Sequence, residues 1–272
     1  MKKVIIIAGP TASGKSGFAI QLAQKLHGEV INADSLQVYA DLQILSARPT
    51  EAETQGIPHH LYGFLDCHTN CNAVTWATLC TEKIKQIQTP ILVGGTGMYL
   101  KTLTEGIHDI PEIPPEIQEK VRQMPLAEVS AQLTKKLFPD AQRLRRALCV
   151  QLATGKPLSF FYNQPKKQFL QAEFETYFIN PPRPVLHERC AQRFYQMIEK
   201  GAIDEVISLM KKKPTGNVLQ AIGIKEINAY LGNIYSKEEM TEKAIIATRQ
   251  YAKRQITWFK NQLKNYRLIE TV

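Results

Sequence analysis

No stretch of this 272-residue chain approaches the roughly 18 consecutive apolar residues of a membrane-spanning helix. The amino terminus, MKKVIIIAGP, enters a glycine-bracketed loop before a small-residue cleavage site could follow. A cytoplasmic location with no membrane partner is therefore the expectation. The five cysteines, Cys67, Cys71, Cys80, Cys149 and Cys190, form no paired C-x-x-C framework, which leaves neither a disulfide scaffold nor a zinc ribbon and favours buried, idle thiols. Negative charge is also in deficit: 34 Lys and Arg against 25 Asp and Glu give a formal charge of +9, which favours a polyanionic partner, nucleic acid first. The guanine-specifying N-K-x-D and the switch D-x-x-G occur nowhere in the chain, which argues against a translational GTPase. There is no internal repeat and no low-complexity tract.

What is present is a strand-loop-helix signature at the amino terminus. The run at 3–8 reads as a buried strand and 15–27 as a helix with apolar positions at Phe18, Ile20, Leu22, Ala23 and Leu26. Between them GPTASGKS fits G-x-x-x-x-G-K-[S/T] with Gly9, Gly14, Lys15 and Ser16 in the fixed places. Glycines let backbone amides approach an anion, the helix presents its positive end, Lys15 adds a point charge and Ser16 can hold magnesium. The motif implies a di- or triphosphate and is silent on what is done to it.

Further strands are expected at 29–34 and 90–97, a helix at 76–87, and a return to the strand pattern at 175–182. Strands alternating with helices predict a parallel α/β sheet of the P-loop type, flanked by helices, with ligands beyond the carboxyl ends of the strands. That puts the loop 9–16, Asp34 and the glycine turn 94–97 on one rim. Around residue 106 the composition turns proline-rich, so 1–110 and 175–272 are read as the catalytic core and 111–174 as an inserted helical subdomain. After the last strand the chain reads as helical to its end, with Ser236 and Glu239 spaced as a capping box. Cations and aromatics interleave along TRQYAKRQITWFKNQLKNYR, 248–267; an aromatic core face with a solvated basic face and an RNA-binding face are equally good readings of that stretch.

Asp34 in NADSLQVY (32–39) closes a strand beside the phosphate loop. A carboxylate there can serve as a general base or reach a metal through water; by itself it reads equally well as a turn or cap residue. Other stretches join it: PHHL, GGTGMYL, DAQRLRRAL, TGKPLS, RPVLHERCAQRFYQMIEKGAIDEV, QAIGIKE and RQYAKRQITWF. Together with GPTASGKS and NADSLQVY, and in this order, they resemble the bacterial tRNA dimethylallyltransferases over nearly the whole chain.

The resemblance implies transfer of a dimethylallyl group from its diphosphate to the exocyclic amine of the adenosine 3′-adjacent to the anticodon, in tRNAs reading codons that begin with U, with release of diphosphate. The loop then holds a leaving group. Gly9, Pro10, Thr11, Ala12, Ser13, Gly14, Lys15 and Ser16 would cradle the diphosphate, with Mg2+ on Ser16 and with Thr96 and Arg189 assisting Lys15. Asp34, ionised at neutral pH as carboxylates are, would take the amine proton. Asp34, Ser35, Leu36, Gln37 and Thr96 would meet the extruded adenosine, and Gln142, Arg143, Leu144, Arg145 and Arg146 the tRNA. A monomer is expected, because the family's tRNA complexes need no partner subunit. His59 and His60 match a family pair but read better as packing and hydrogen-bonding groups; Arg183 and Arg193 match too, and either can be a salt-bridge residue. The chain departs from the pattern in an abbreviated AQLTKKLFPDAQR (131–143) and in Gln118, where arginine is common.

Three other functions compete. A transferase acting on free adenine nucleotides lacks a full RNA-gripping insertion, so DAQRLRRAL and the basic carboxyl end argue against it. A P-loop kinase of a small molecule fits the loop alone. An RNA-binding protein that only senses nucleotide has no use for Asp34, Thr96 and Lys15 together.

Overall fold

The computed structural model describes residues 1–133 and 140–271. Most of the abbreviated stretch before DAQRLRRAL, 134–139, lies outside the described residues. The chain divides into two compact units, 1–104 with 169–272, and 105–168.

The first unit begins with β1 (Lys2–Ala8), the phosphate loop and α1 (Lys15–Leu26), followed by β2 (Glu29–Asn32). A one-turn helix α2 (Glu51–Thr54), a two-residue strand β3 (His59–His60), α3 (Ala73–Gln86), β4 (Pro90–Gly94) and α4 (Gly97–Glu105) come next. In α1 the buried positions are Ala19, Ile20 and Ala23, while Leu26 ends exposed, because the helix presents a narrow apolar stripe to the sheet.

The second unit holds β5 (Ile107–His108), α5 (Pro115–Gln123), α6 (Leu126–Gln132), α7 (Ala141–Thr154), α8 (Leu158–Tyr162) and β6 (Lys166–Lys167). Its core gathers Val121, Val129, Leu148, Val150, Leu158 and Phe161. Composition placed the change at 111–174; the compact unit runs 105–168 because β5 and β6, each two residues long, pair antiparallel at its base. Two-residue strands leave no periodicity for a sequence to display.

The chain re-enters the first unit at β7 (Ala172–Ile179), then continues through α9 (Arg183–Glu199), α10 (Ala202–Lys211), α11 (Ile224–Leu231), the long α12 (Lys237–Gln262) and a final strand β8 (Tyr266–Ile269). The six strands lie in the order β3-β2-β4-β1-β7-β8, every pair parallel. Val4, Ile6 and Ala8 face one apolar cluster and Ile5 and Ile7 the other. Helices cover both faces, so the alternation of strand side chains shows as an unbroken apolar run. The Ser236–Glu239 capping box starts α12 as expected.

The carboxyl end differs from its reading as helix to 267. The helix stops at Gln262, and Tyr266 belongs to β8, packing edge-on against Phe178. Pairing with β7 outweighs the weak helical pattern of this short basic segment, and that pairing is a tertiary fact. All five cysteines are free and buried. No helix among the described residues is long and apolar enough to cross a membrane.

Candidate active site

The carboxyl ends of β1, β2 and β4 deliver the chemistry to one rim. After β1 the loop turns through Gly14 at φ 93°, a left-handed conformation that glycine adopts without strain, and Lys15 opens α1. The first N–H groups of a helix have no intrahelical acceptor, so they face outward as anion donors. Lys15 Nζ donates to Pro10 O at 2.6 Å. Burial brings the Lys15 ammonium down to about 8; the Asp34 charge opposes the shift and Arg193 adds to it.

After β2, Asn32 organises the acidic segment. Its Oδ1 accepts from Asp34 N at 2.8 Å, its Nδ2 donates to Asp34 O at 3.0 Å, and its backbone carbonyl accepts from the buried Trp76 Nε1 at 2.8 Å. Asp34 Oδ1 accepts from Leu36 N at 2.9 Å. After β4, Gly94 has to be glycine, because a Cβ there would overlap the backbone of Ala33. That approach lets Thr96 N donate to Ala33 O at 3.2 Å and Thr96 Oγ1 accept from Ser35 N at 2.9 Å.

A cleft of about 740 Å³ is lined by Thr11 to Ser16, Asp34, Gln37, Val93, Gly94, Arg189 and Arg193, among others. Of the predicted cradle, Gly9 and Pro10 stand behind it: Gly9 packs on the carbonyl of Ile179 and Pro10 O receives Lys15. Arg189 Nη1 donates to Ser13 O at 3.3 Å. Leu36 lies in a small adjoining pocket of about 50 Å³ that shares Thr11, Asp34 and Arg193 with the cleft. Gln37 is held by Nε2 hydrogen bonds to Ser46 O and Ala47 O, both 2.9 Å. Thr96 lines a third pocket, of about 220 Å³, and reaches the acidic segment through Ser35. The charge of Asp34 also raises the phenols of Tyr62 and Tyr251, after the larger effect of burial.

Arg193, matched in the sequence only as a family position, reaches the loop itself. Its Nη2 donates to Thr11 Oγ1 at the mouth of the loop, and burial pulls its guanidinium below the usual value. It follows Arg189 by four residues on α9, hence on the same helix face; that spacing was the available signal. In the histidine pair, His60 Nε2 meets Glu29 Oε2 at 2.6 Å, and His59 Nδ1 lies 2.8 Å from Ile57 O.

Gln142 to Arg146 lie in the other unit, on the first turns of α7. Gln142, Arg143 and Arg146 are exposed; Leu144 packs on that unit's core. Arg145 is turned inward, donating to Val121 O and, at 2.8 Å, to Met124 O at the end of α5. Gln118 Nε2 donates to Ile113 O at 2.7 Å.

A parallel α/β sheet with a glycine loop opening a helix, and cations and a carboxylate across the same cleft, defines a P-loop protein. The chain belongs to the IPP transferase family, whose model matches residues 37–262; the isopentenyl transferase family model matches 2–62. It is 45% identical to a tRNA dimethylallyltransferase of Zymomonas mobilis over 95% of this chain and 88% of that one. It is 41% identical to a tRNA dimethylallyltransferase of Hyphomonas neptunium over 96% of this chain and 89% of that one. Among solved structures, a eukaryotic dimethylallyltransferase caught acting on tRNA superposes with a TM-score of 0.84 at 31% identity, covering 99% of this chain and 74% of that one. The full-length tRNA isopentenylpyrophosphate transferase of Bacillus halodurans gives 0.70 at 30% identity, covering 99% and 90%.

Proposed function

We propose that this enzyme prenylates tRNA, moving a dimethylallyl group from dimethylallyl diphosphate to the exocyclic amine of the adenosine 3′-adjacent to the anticodon in tRNAs reading U-starting codons. The observation that carries the reading is that Asp34 lines one cleft together with a phosphate loop and three cations, Lys15, Arg189 and Arg193. An adenine amine is a weak nucleophile, so the reaction needs charge stabilised on one side and a proton removed on the other. The amine nitrogen forms a bond to the allylic carbon as the carbon–oxygen bond breaks, and the electron pair leaves with the diphosphate. Lys15, the loop amides, Arg189 and Arg193 stabilise that developing charge, and Asp34 accepts the amine proton. Thr96 orients the Asp34–Ser35 segment through its hydroxyl, which accepts from Ser35 N.

A divalent cation fits this residue set. No group of three His, Cys, Asp or Glu capable of holding a metal occurs among the described residues, whereas the exposed Ser16 hydroxyl and Asp34 share the cleft. That suits Mg2+, which binds through phosphate oxygens, water and one or two protein groups. Ser16 would hold it together with the diphosphate, and it would supply positive charge to stabilise the leaving group.

The target base has to swing out of its stack, at a few kcal/mol. Ser35, Leu36 and Gln37 are the groups assigned to receive it. The unit 105–168, with Gln142, Arg143 and Arg146 exposed on α7, is assigned to the tRNA. Leu144 and Arg145 support that surface from within.

The deciding experiment incubates the protein with Mg2+, dimethylallyl diphosphate and unmodified tRNA, then digests the RNA and looks for isopentenyladenosine by mass. Prenylated AMP in a parallel reaction without prenylated tRNA would favour the free-nucleotide transferase, and consumption of ATP without prenyl donor would favour the kinase. Asp34→Ala is expected to abolish transfer while tRNA still binds. Near-normal turnover by that folded variant would remove the base from this scheme.

A further inference from the structure

The long helix α12 reaches the site through one buried amide. Gln255 is 6% exposed. Its Oε1 accepts from Thr11 N at 2.8 Å and its Nε2 donates to Gly95 O at 2.9 Å. A backbone donor on one side and a backbone acceptor on the other admit a single orientation of the amide. A Cβ at Gly95 would overlap Nε2, so the glycine is what allows this close approach.

The two ends of the bridge are the loops after β1 and β4, neighbours in the sheet. Thr11 lines the cleft and its hydroxyl receives Arg193. Gly95 precedes Thr96, whose hydroxyl holds Ser35 beside Asp34. One side of the amide is thus tied to the cations of the diphosphate cradle and the other to the segment bearing the proton acceptor.

We infer that Gln255 is a positioning residue, fixing the separation of the diphosphate cradle from the Asp34–Ser35 segment. The role in turnover rests on the prenyl-transfer reading; the bridge itself does not. A misplacement of about 1 Å between reacting groups can lower the rate about a hundredfold, and removing Gln255 takes the partner from the half-buried Thr11 N–H and from the buried Gly95 carbonyl, a loss the loops relieve by moving.

The test uses two variants of the whole chain. Gln255→Met keeps the volume and loses both hydrogen bonds. Gln255→Glu keeps the acceptor for Thr11 N and sets a carboxylate oxygen against Gly95 O. For each, inorganic pyrophosphate is titrated with Mg2+ present, giving affinity and the fraction of competent sites; tRNA affinity and kcat at saturating substrates follow, with kcat expressed per competent site. The expected result is a ten- to hundredfold loss of kcat per competent site and a several-fold weaker affinity for pyrophosphate, with tRNA affinity within twofold of the parent. A merely structural residue would lower the competent fraction and leave kcat per site unchanged. That result overturns the inference, as does a loss confined to tRNA affinity. Should the Met variant fail to fold, the Glu variant decides by the same criteria. A parent protein that never prenylates tRNA sinks the functional reading, while unchanged pyrophosphate affinity in a folded variant sinks the bridge.

Discussion

Lys15 shows how much of the site rests on single side chains. Its ammonium is held at about 8, chiefly by burial. A bound polyanion favours the charged form, so above that pH each binding event takes up a proton, and pyrophosphate affinity should fall by up to about tenfold per pH unit. Titration calorimetry from pH 7 to 10 checks this, and the slope attributable to Lys15 should vanish in Lys15→Met. Linkage to folding has the opposite sense. An unfolded lysine keeps its proton to about 10.4, so between about 8 and 10.4 the unfolded chain binds the extra proton and this residue's contribution to stability rises with pH. Lys15 and Asp34 were legible in the sequence because a motif fixes the one and a strand end the other. Arg193 showed only as a family match four residues after Arg189, and Gln255 not at all, because each reaches the loop from a helix far along the chain, and only the docking of α9 and α12 decides which of their residues face it.

At the scale of elements, α7 divides its arginines between two tasks. Arg145 closes the end of α5 through two backbone carbonyls, so Arg145→Ala should destabilise the unit 105–168 by about 1–2 kcal/mol, as charge-assisted hydrogen bonds of a half-exposed group do. Hydrogen exchange should localise the loss to that unit. Arg146 is exposed, and Arg146→Ala should leave the melting temperature unmoved while weakening tRNA and reducing its salt slope by about one. Equal destabilisation by both substitutions would contradict the division. In the sequence the two arginines are indistinguishable, since adjacent positions on a helix separate into an inward and an outward side chain only once the neighbouring helix is in place. Element type followed periodicity where an element was long, as in α1, α3 and α12. It failed for β3, β5, β6 and β8, all four residues or fewer, whose existence depends on a partner strand.

The whole molecule carries a formal charge of +9. If that excess serves tRNA, affinity should drop on the order of a thousandfold or more between 50 and 200 mM salt, as for proteins that neutralise six or more phosphates. Filter binding across that range checks it, and a flat profile would remove the electrostatic reading of the basic surface. The sequence by itself determined that β1 is buried on both faces and that a phosphate loop follows it; it also put a carboxylate at the end of the next strand, which in fact stops at Asn32, two residues before Asp34. Those are local facts, written in residue type and spacing. The tertiary structure alone decided that β8 completes the sheet, that Thr96 hydrogen-bonds Ser35, and that an amide from α12 ties two loops together. Such contacts join residues as far apart as 11 and 255, and a contact of that kind exists only after the sheet and its helices have packed, because a hydrogen bond has a range of about 3 Å and no reach along the chain.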